Sequence, residues 1–249
     1  MITDDMVVDV SQDWLQACSV QAGFMRSPAG NACRIDYGAS CRQLRALGGD
    51  CYEFWCRPEG QLSMVVGDAS GKGVAAALMM ASVQASLRTA AVFTGDDLAC
   101  LLRVVNAQAC ASSLAGRFAT LFYGVLDSAA RALRYVNAGH NPPAILHRDG
   151  SVDWLEPSGA PVGLFSDAIW REKTVRLQPG DRVLAYTDGV TEASSASGEE
   201  WGIEGLVQAA HGGEMKSAED LVRTILDAMD EFSAGVQTDD ATVAVLSVL

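Results

Sequence analysis

Short apolar segments of strand length recur along this chain, and four aspartates fall where such segments begin or end. Asp50 follows Gly48-Gly49, and Asp68 follows LSMVVG. Asp188 follows VLAYT and precedes Gly189; Asp239, with Asp240 beside it, precedes ATVAVL. Any one of them, taken singly, reads as a turn former. Together they constrain the fold more tightly. If the strands pack centrally their ends converge, and several carboxylates crowd one pocket. Like charges that close raise one another's pKa and cost folding energy, so such a pocket makes sense when cations neutralise it. Oxygen-only ligands favour hard ions such as Mg²⁺ or Mn²⁺. Two such ions can clamp a phosphate and turn a water into a nucleophile. No Ser–His–Asp or Cys–His arrangement offers a covalent route.

The rest of the pattern predicts α+β with mainly antiparallel sheet. Residues 1 to about 25 read as an amphipathic helix around Trp14, Leu15, Cys18 and Met25, and 26–33 as a loop. RIDYGAS alternates as a strand, CRQLRALGGDCYEFW brings a second, and QLSMVV a third. Gly73–Ala91 has apolar residues at helical spacing, and a further helix starts at Asp96-Asp97 and runs to about Ala111. FATLFYGVLD, ALRYVNAG, PAILHRDG, EKTVRL, DRVLAYTDG and ATVAVLSVL read as strands, with helices over 203–210 and 217–232. No internal repeat or low-complexity linker divides the 249 residues, which suit one large domain.

Charge and cysteine usage exclude several classes. Acids outnumber bases 31 to 18, a formal net charge of −13 without a Lys/Arg cluster, which disfavours nucleic acid as partner. Seven cysteines without CxxC spacing disfavour structural zinc and a disulfide framework. The most apolar stretch, Val74 to Phe93, carries Ser82, Gln84, Ser86, Arg88 and Thr89, so it is expected to be a buried helix rather than a membrane span. The N-terminus MITDDMVVDV has acids where a signal peptide needs positive charge, and a cytoplasmic protein is expected.

The segments GGDCYEFW, VVGDASGKGVAAALMMA, FATLFYGVLD, LRYVNAGHNPPAIL, LEPSGAPVGL, LQPGDRVLAYTDGVTEA, GEEWGIEGL and DDATVAVL resemble, in that order, the motifs of the SpoIIE/RsbU-type serine phosphatases, a bacterial branch of the PPM metal-dependent protein phosphatases. The resemblance runs from about residue 34 to Leu249. It implies a PPM-like sandwich of two antiparallel β-sheets flanked by α-helices, with residues 1–33 a short N-terminal helix and loop and 34–249 the phosphatase domain. It also implies that Asp50, Asp68, Asp188 and Asp239, with the backbone carbonyl of Ala69, hold two Mn²⁺ or Mg²⁺ ions. A metal-activated water would attack phosphorus in line. The implied substrate is a phosphorylated anti-sigma factor antagonist-like protein. The sensor domain that the family often places upstream is nearly absent, so input would come from an activator protein or a homodimer.

The chain departs from the family's pattern where GGDFYD becomes GGDCYE: Glu53 replaces an aspartate and Cys51 an aromatic. This change motivates the alternative of a phosphatase-fold binding module that docks a partner and turns over little. A third reading is hydrolysis of small phosphomonoesters. Gln43 and Ala46 stand where a Pro and a Glu are usual; Arg42 and Arg45 remain, and Arg45 reads either as a phosphate ligand or as a solvated charge. His140, in NAGHNPP, reads as a general acid or as a turn residue before Pro142-Pro143. GDASGKGV fails the P-loop spacing, and its GxGxxG/A match has no acid about 20 residues on at a strand end. Its glycines are expected to make a tight turn from the Asp68 strand into a helix.

Overall fold

The computed structural model describes residues 4–25, 35–57, 60–112, 116–212 and 217–248, with side chains from residue 11 onward in the first of these. The loop expected over 26–33, and Pro58 and Glu59 of the turn at 58–60, lie outside the described residues. The strands are β1 (Ile35–Arg42), β2 (Cys51–Cys56), β3 (Gln61–Ala69), β4 (Ala119–Asp127), β5 (Ala132–Ala138), β6 (Ala144–Leu146), β7 (Val152–Trp154), β8 (Lys173–Arg176), β9 (Arg182–Tyr186) and β10 (Ala241–Val248). They form two five-stranded antiparallel sheets, ordered β1-β10-β9-β6-β7 and β2-β3-β4-β5-β8. The helices are α1 (Asp4–Phe24), α2 (Val74–Phe93), α3 (Leu98–Ser112), α4 (Asp188–Thr191), α5 (Gly202–His211) and α6 (Ala218–Ser233).

Both faces of both sheets are covered, which is why the central strands read as unbroken apolar runs. On β3, Leu62, Met64 and Val66 join Ala244 and Leu246 of β10 in a core between the sheets. Val65 points the other way, into a core completed by α2 and α3. On β10, Val243 and Val245 pack with Leu221, Ile225 and Leu226 of α6 and Leu206 of α5. The order of layers is therefore helices, sheet, sheet, helices, as expected for the α+β sandwich.

By length and composition α2 is apolar enough to cross a membrane. Here Ala76, Met80, Val83, Leu87 and Ala90 line its buried face, at the spacing of one helical stripe. Gly71 (φ 95°) and Gly73 (φ 72°) make the turn from β3 into α2, a backbone region that other residues rarely enter. All six described cysteines are free thiols.

Three local expectations need correction. The strand expected through TDG stops at Tyr186, because Asp188–Thr191 winds into a single helical turn. The strand expected over PAILHRDG is only Ala144–Leu146, since His147 and Gly150 close a turn that leads into the unexpected β7. Of the acids placed at the start of α3, only Asp97 caps it, accepting the Cys100 amide at 2.7 Å. Asp96 instead takes ion pairs from Arg57 at 3.2 Å and Arg134 at 3.1 Å.

His147 ties the β6–β7 hairpin to the turn before β9, with Nε2 3.1 Å from Asp153 and Nδ1 3.2 Å from Asp181. The Asp153 hydrogen bond raises its pKa most, burial opposes, and Asp181 adds to the rise. A histidine whose folded pKa is raised contributes stability that is fully present below its unfolded value and lost as pH rises through the folded one. Wild type should therefore lose up to about 1 kcal/mol relative to His147→Gln between about pH 6 and pH 8, a size set by solvent screening. Urea midpoints of the two proteins across that range test this; parallel profiles would refute it.

Candidate metal centre

The four aspartates arrive from both sheets. Asp50 precedes β2, Asp68 is the penultimate residue of β3, Asp188 opens α4 just after β9, and Asp239 lies two residues before β10. Asp50 is 2% exposed. Its Oδ2 accepts the hydroxyls of Thr187 at 2.7 Å and Thr242 at 2.6 Å. The Thr242 amide in turn donates to Thr187 Oγ1 at 2.9 Å. Burial pushes this carboxyl well above the usual range, the Thr242 hydroxyl pulls it back, and Asp68 pushes it up again.

Asp68 is pushed up to about 7, first by burial and then by the charges of Asp188, Asp239 and Asp240. Asp188 is raised by burial and then by Asp239. Asp239 acts on both, which marks one electrostatic pocket. Asp239 Oδ2 accepts Lys72 Nζ at 2.6 Å, and the same ammonium donates to Thr238 O at 3.2 Å. Bare carboxylates repel one another. Among the described residues no three His, Cys, Asp or Glu side chains close into a coordination shell. The oxygens turn instead to Lys72 and the two threonines.

Gly48 and Gly49 let backbone approach this pocket closely. A Cβ on Gly49 would stand 2.8 Å from the Ala69 carbonyl oxygen and 3.0 Å from Asp68 Oδ1. The Ala69 amide donates to Gly49 O at 3.2 Å, so the Ala69 carbonyl lies beside Asp68 on the same loop contact. Asp240 has a different task from Asp239. Its Oδ1 accepts the Leu44 amide and its Oδ2 the Gly49 amide, each at 2.8 Å. It holds the 44–49 loop in place.

The bare Cα of Gly189 faces the Asp240 backbone, and a Cβ there would sit 2.0 Å from the Asp240 carbonyl oxygen. Backbone cannot yield as a side chain does. Gly189→Ala should cost about 3 kcal/mol, the upper end for overpacking. A urea midpoint equal to that of wild type would mean that α4 moves freely.

The remaining singled-out residues fall outside the carboxylate set. Arg45 is exposed, with Nη1 3.6 Å from where a Gly73 Cβ would be, beside the turn that follows Asp68. Glu53 ion-pairs with Arg88 of α2 at 2.6 Å, and the Arg88 guanidinium lies over the Trp55 ring at 4.6 Å. Glu53 therefore fastens β2 to α2. His140 is 2% exposed; its Nδ1 shares a 2.9 Å hydrogen bond with Thr120 Oγ1, and its amide donates to Asn137 Oδ1 at 2.8 Å. Burial pushes its pKa down to about 4, and the nearby Tyr186 backbone pulls the other way. A neutral, enclosed ring held by Thr120 and Asn137 suits packing rather than proton delivery to a leaving group. Sequence reasoning missed Thr187 and Thr242; the only signal was a β-branched hydroxyl beside two of the aspartate motifs, in YTDG and DDAT.

A family model, stage II sporulation protein E (SpoIIE), matches residues 58–249. Protein IcfG of Synechocystis is 28% identical over 228 residues, 80% of this chain and 36% of that protein. The phosphoserine phosphatase RsbU of Bacillus subtilis is 27% identical over 236 residues, 92% of this chain and 68% of RsbU. This chain thus spans little more than a third of IcfG and about two thirds of RsbU. Among solved structures, the SiaA-PP2C domain of Pseudomonas aeruginosa superposes with a TM-score of 0.82 at 19% identity, covering 96% of this chain and 97% of that one. With sequence family and fold in agreement, the chain belongs to the SpoIIE family of PPM-type phosphatases.

Proposed function

We propose that this chain is a metal-dependent phosphatase for phosphoserine or phosphothreonine on a regulatory protein, with Asp50, Asp68, Asp188, Asp239 and the Ala69 carbonyl holding two Mn²⁺ or Mg²⁺ ions. One observation carries the reading most. Thr187, next to Asp188, is hydrogen-bonded to Asp50, a Cβ on Gly49 would meet Asp68 Oδ1 and one on Gly189 would meet Asp239, so the four carboxylates share one pocket. An all-oxygen pocket so overcharged fits hard divalent cations. Solved structures of the same fold contain magnesium or manganese. When bound, such a pair neutralises the pocket, orients a phosphate and lowers the pKa of water.

The protein's own groups then have separate tasks. Thr187 and Thr242 fix one oxygen of Asp50, so its carboxylate has one orientation. Lys72 pairs with Asp239 and offsets part of the pocket's negative charge. Arg45, exposed beside the Gly71–Gly73 turn, is the proposed ligand of a substrate phosphate. The substrate class follows from the relatives, of which RsbU is a phosphoserine phosphatase; a phosphorylated anti-sigma factor antagonist is the specific proposal, in a cytoplasmic setting. The phosphatase unit is assigned to 34–249, with 1–33 as an N-terminal attachment through which an activator or second copy would act.

The binding-module alternative drew on Glu53. Because that side chain pairs with Arg88, its change from aspartate leaves the four-carboxylate set untouched. The deciding experiment is hydrolysis of a phosphorylated anti-sigma factor antagonist across a Mn²⁺ titration, with Asp188→Asn alongside. Metal-dependent release of phosphate by wild type alone supports an enzyme. Stable binding of the phosphoprotein with no release would favour the docking module, and equal preference for p-nitrophenyl phosphate would favour small phosphomonoesters.

A further inference from the structure

Along the described side chains of α1, Gln21 is the buried one, 8% exposed. Its apolar neighbours face solvent, with Leu15 69% and Val20 59% exposed. A helix normally docks by its apolar stripe; over the described side chains of this one, the buried contact is made by an amide. Gln21 Nε2 donates to Gly48 O at 2.7 Å, and Gln21 Oε1 accepts the Gly48 amide at 3.3 Å. Both backbone groups of one residue are thus held by a single carboxamide. Among side chains in their neutral-pH forms, an amide offers donor and acceptor side by side where a carboxylate only accepts, and asparagine is a methylene too short.

Gly48 is the residue on which the site's scaffold turns. A Cβ there would meet Asp240 Oδ2 at 2.2 Å. Gly49, next along, is held by Asp240 and touches Ala69 and Asp68, and Asp50 follows. Asp240 grips the 44–49 loop from one side and Gln21 from another.

We infer that Gln21 is a positioning residue for the metal centre: by clamping Gly48 it sets where Asp50 and the Ala69 carbonyl stand, so the seating of α1 tunes affinity for Mn²⁺. This rests on the assignment of Asp50, Asp68 and Ala69 as metal ligands. Gln21 touches no substrate and acts through the loop alone.

The test uses the full chain, with Mn²⁺ binding followed by calorimetry and p-nitrophenyl phosphate hydrolysis followed across a Mn²⁺ titration. Gln21→Ala should raise both the Kd for Mn²⁺ and the half-saturating Mn²⁺ by about 10- to 100-fold, the range for groups that orient metal ligands. Turnover at saturating Mn²⁺ should stay within about twofold, since the ligands themselves are intact. Gln21→Glu keeps the volume and loses the donor; it should shift the same way, and it decides the matter if the alanine variant does not fold. Leu15→Ala, on the exposed face of α1, should keep the wild-type Mn²⁺ dependence. A folded Gln21→Ala or Gln21→Glu protein with wild-type Mn²⁺ affinity overturns the inference alone. Wild type that takes up no Mn²⁺ overturns the ligand assignment, and this inference with it.

Discussion

Asp68→Asn is expected to weaken Mn²⁺ binding by at least about 100-fold, more than loss of an outer-shell group, and yet to be more stable than wild type without metal. Both effects come from one feature. Asp68 shares its pocket with Asp188, Asp239 and Asp240, and burial together with these charges pushes it up to about 7. A carboxyl whose folded pKa lies above its unfolded value binds its proton more tightly when folded. Its contribution is therefore favourable in acid and lost as pH rises from about 4 to about 7. Asparagine keeps the shape and never ionises. Discounted for partial exposure, the gain is about 1–3 kcal/mol at pH 8. Urea midpoints in chelator at pH 5 and pH 8 should separate the two proteins more at the higher pH. Equal midpoints, or wild-type Mn²⁺ binding by the variant, would remove Asp68 from the proposed set.

Metal should raise the melting temperature of wild type by about 5–10 °C. An ion that binds the folded state alone stabilises it by about 2.7 kcal/mol at a concentration one hundred times its Kd. For a chain of 249 residues each kcal/mol is worth roughly 2–4 °C. The elevation of Asp68 by Asp188 and Asp239, and of Asp188 by Asp239, adds a second reason, since a cation relieves repulsion that the folded state carries and the unfolded chain does not. Asp188→Asn should abolish most of the shift. A scan unmoved by millimolar Mn²⁺ would count directly against the four-aspartate assignment.

The long elements were legible because burial on both faces writes itself as uninterrupted apolar sequence. LSMVV and ATVAVLSVL read as strands, and the helical stripe from Ala76 to Ala90 was equally plain. β7 was not, because its three residues are half exposed and owe their pairing to β6. The aspartates could be singled out by their place at strand ends. Their partners could not, since Thr187 and Thr242 matter only because β9 and β10 pair and bring both to Asp50, 137 and 192 residues away in the chain. Gln21 carried no signal at all; within its helix it is one polar residue among several.

Asp50 and Asp68 ride on one sheet, while Asp188, Asp239 and both threonines ride at the ends of strands in the other. In that second sheet β1, among the described residues, pairs with β10, with Ile35 opposite Val248. Pairing so distant in sequence has a large loop-closure cost and forms slowly. The carboxylate set is therefore assembled by the most non-local event in folding. A chain with β2 to β5 already in register has Asp50 and Asp68 but neither threonine to orient Asp50 nor the other two aspartates of the proposed set. On the proposed assignment such a half-folded chain would lack two of its four aspartate ligands, and phosphate release would begin only once β10 seats.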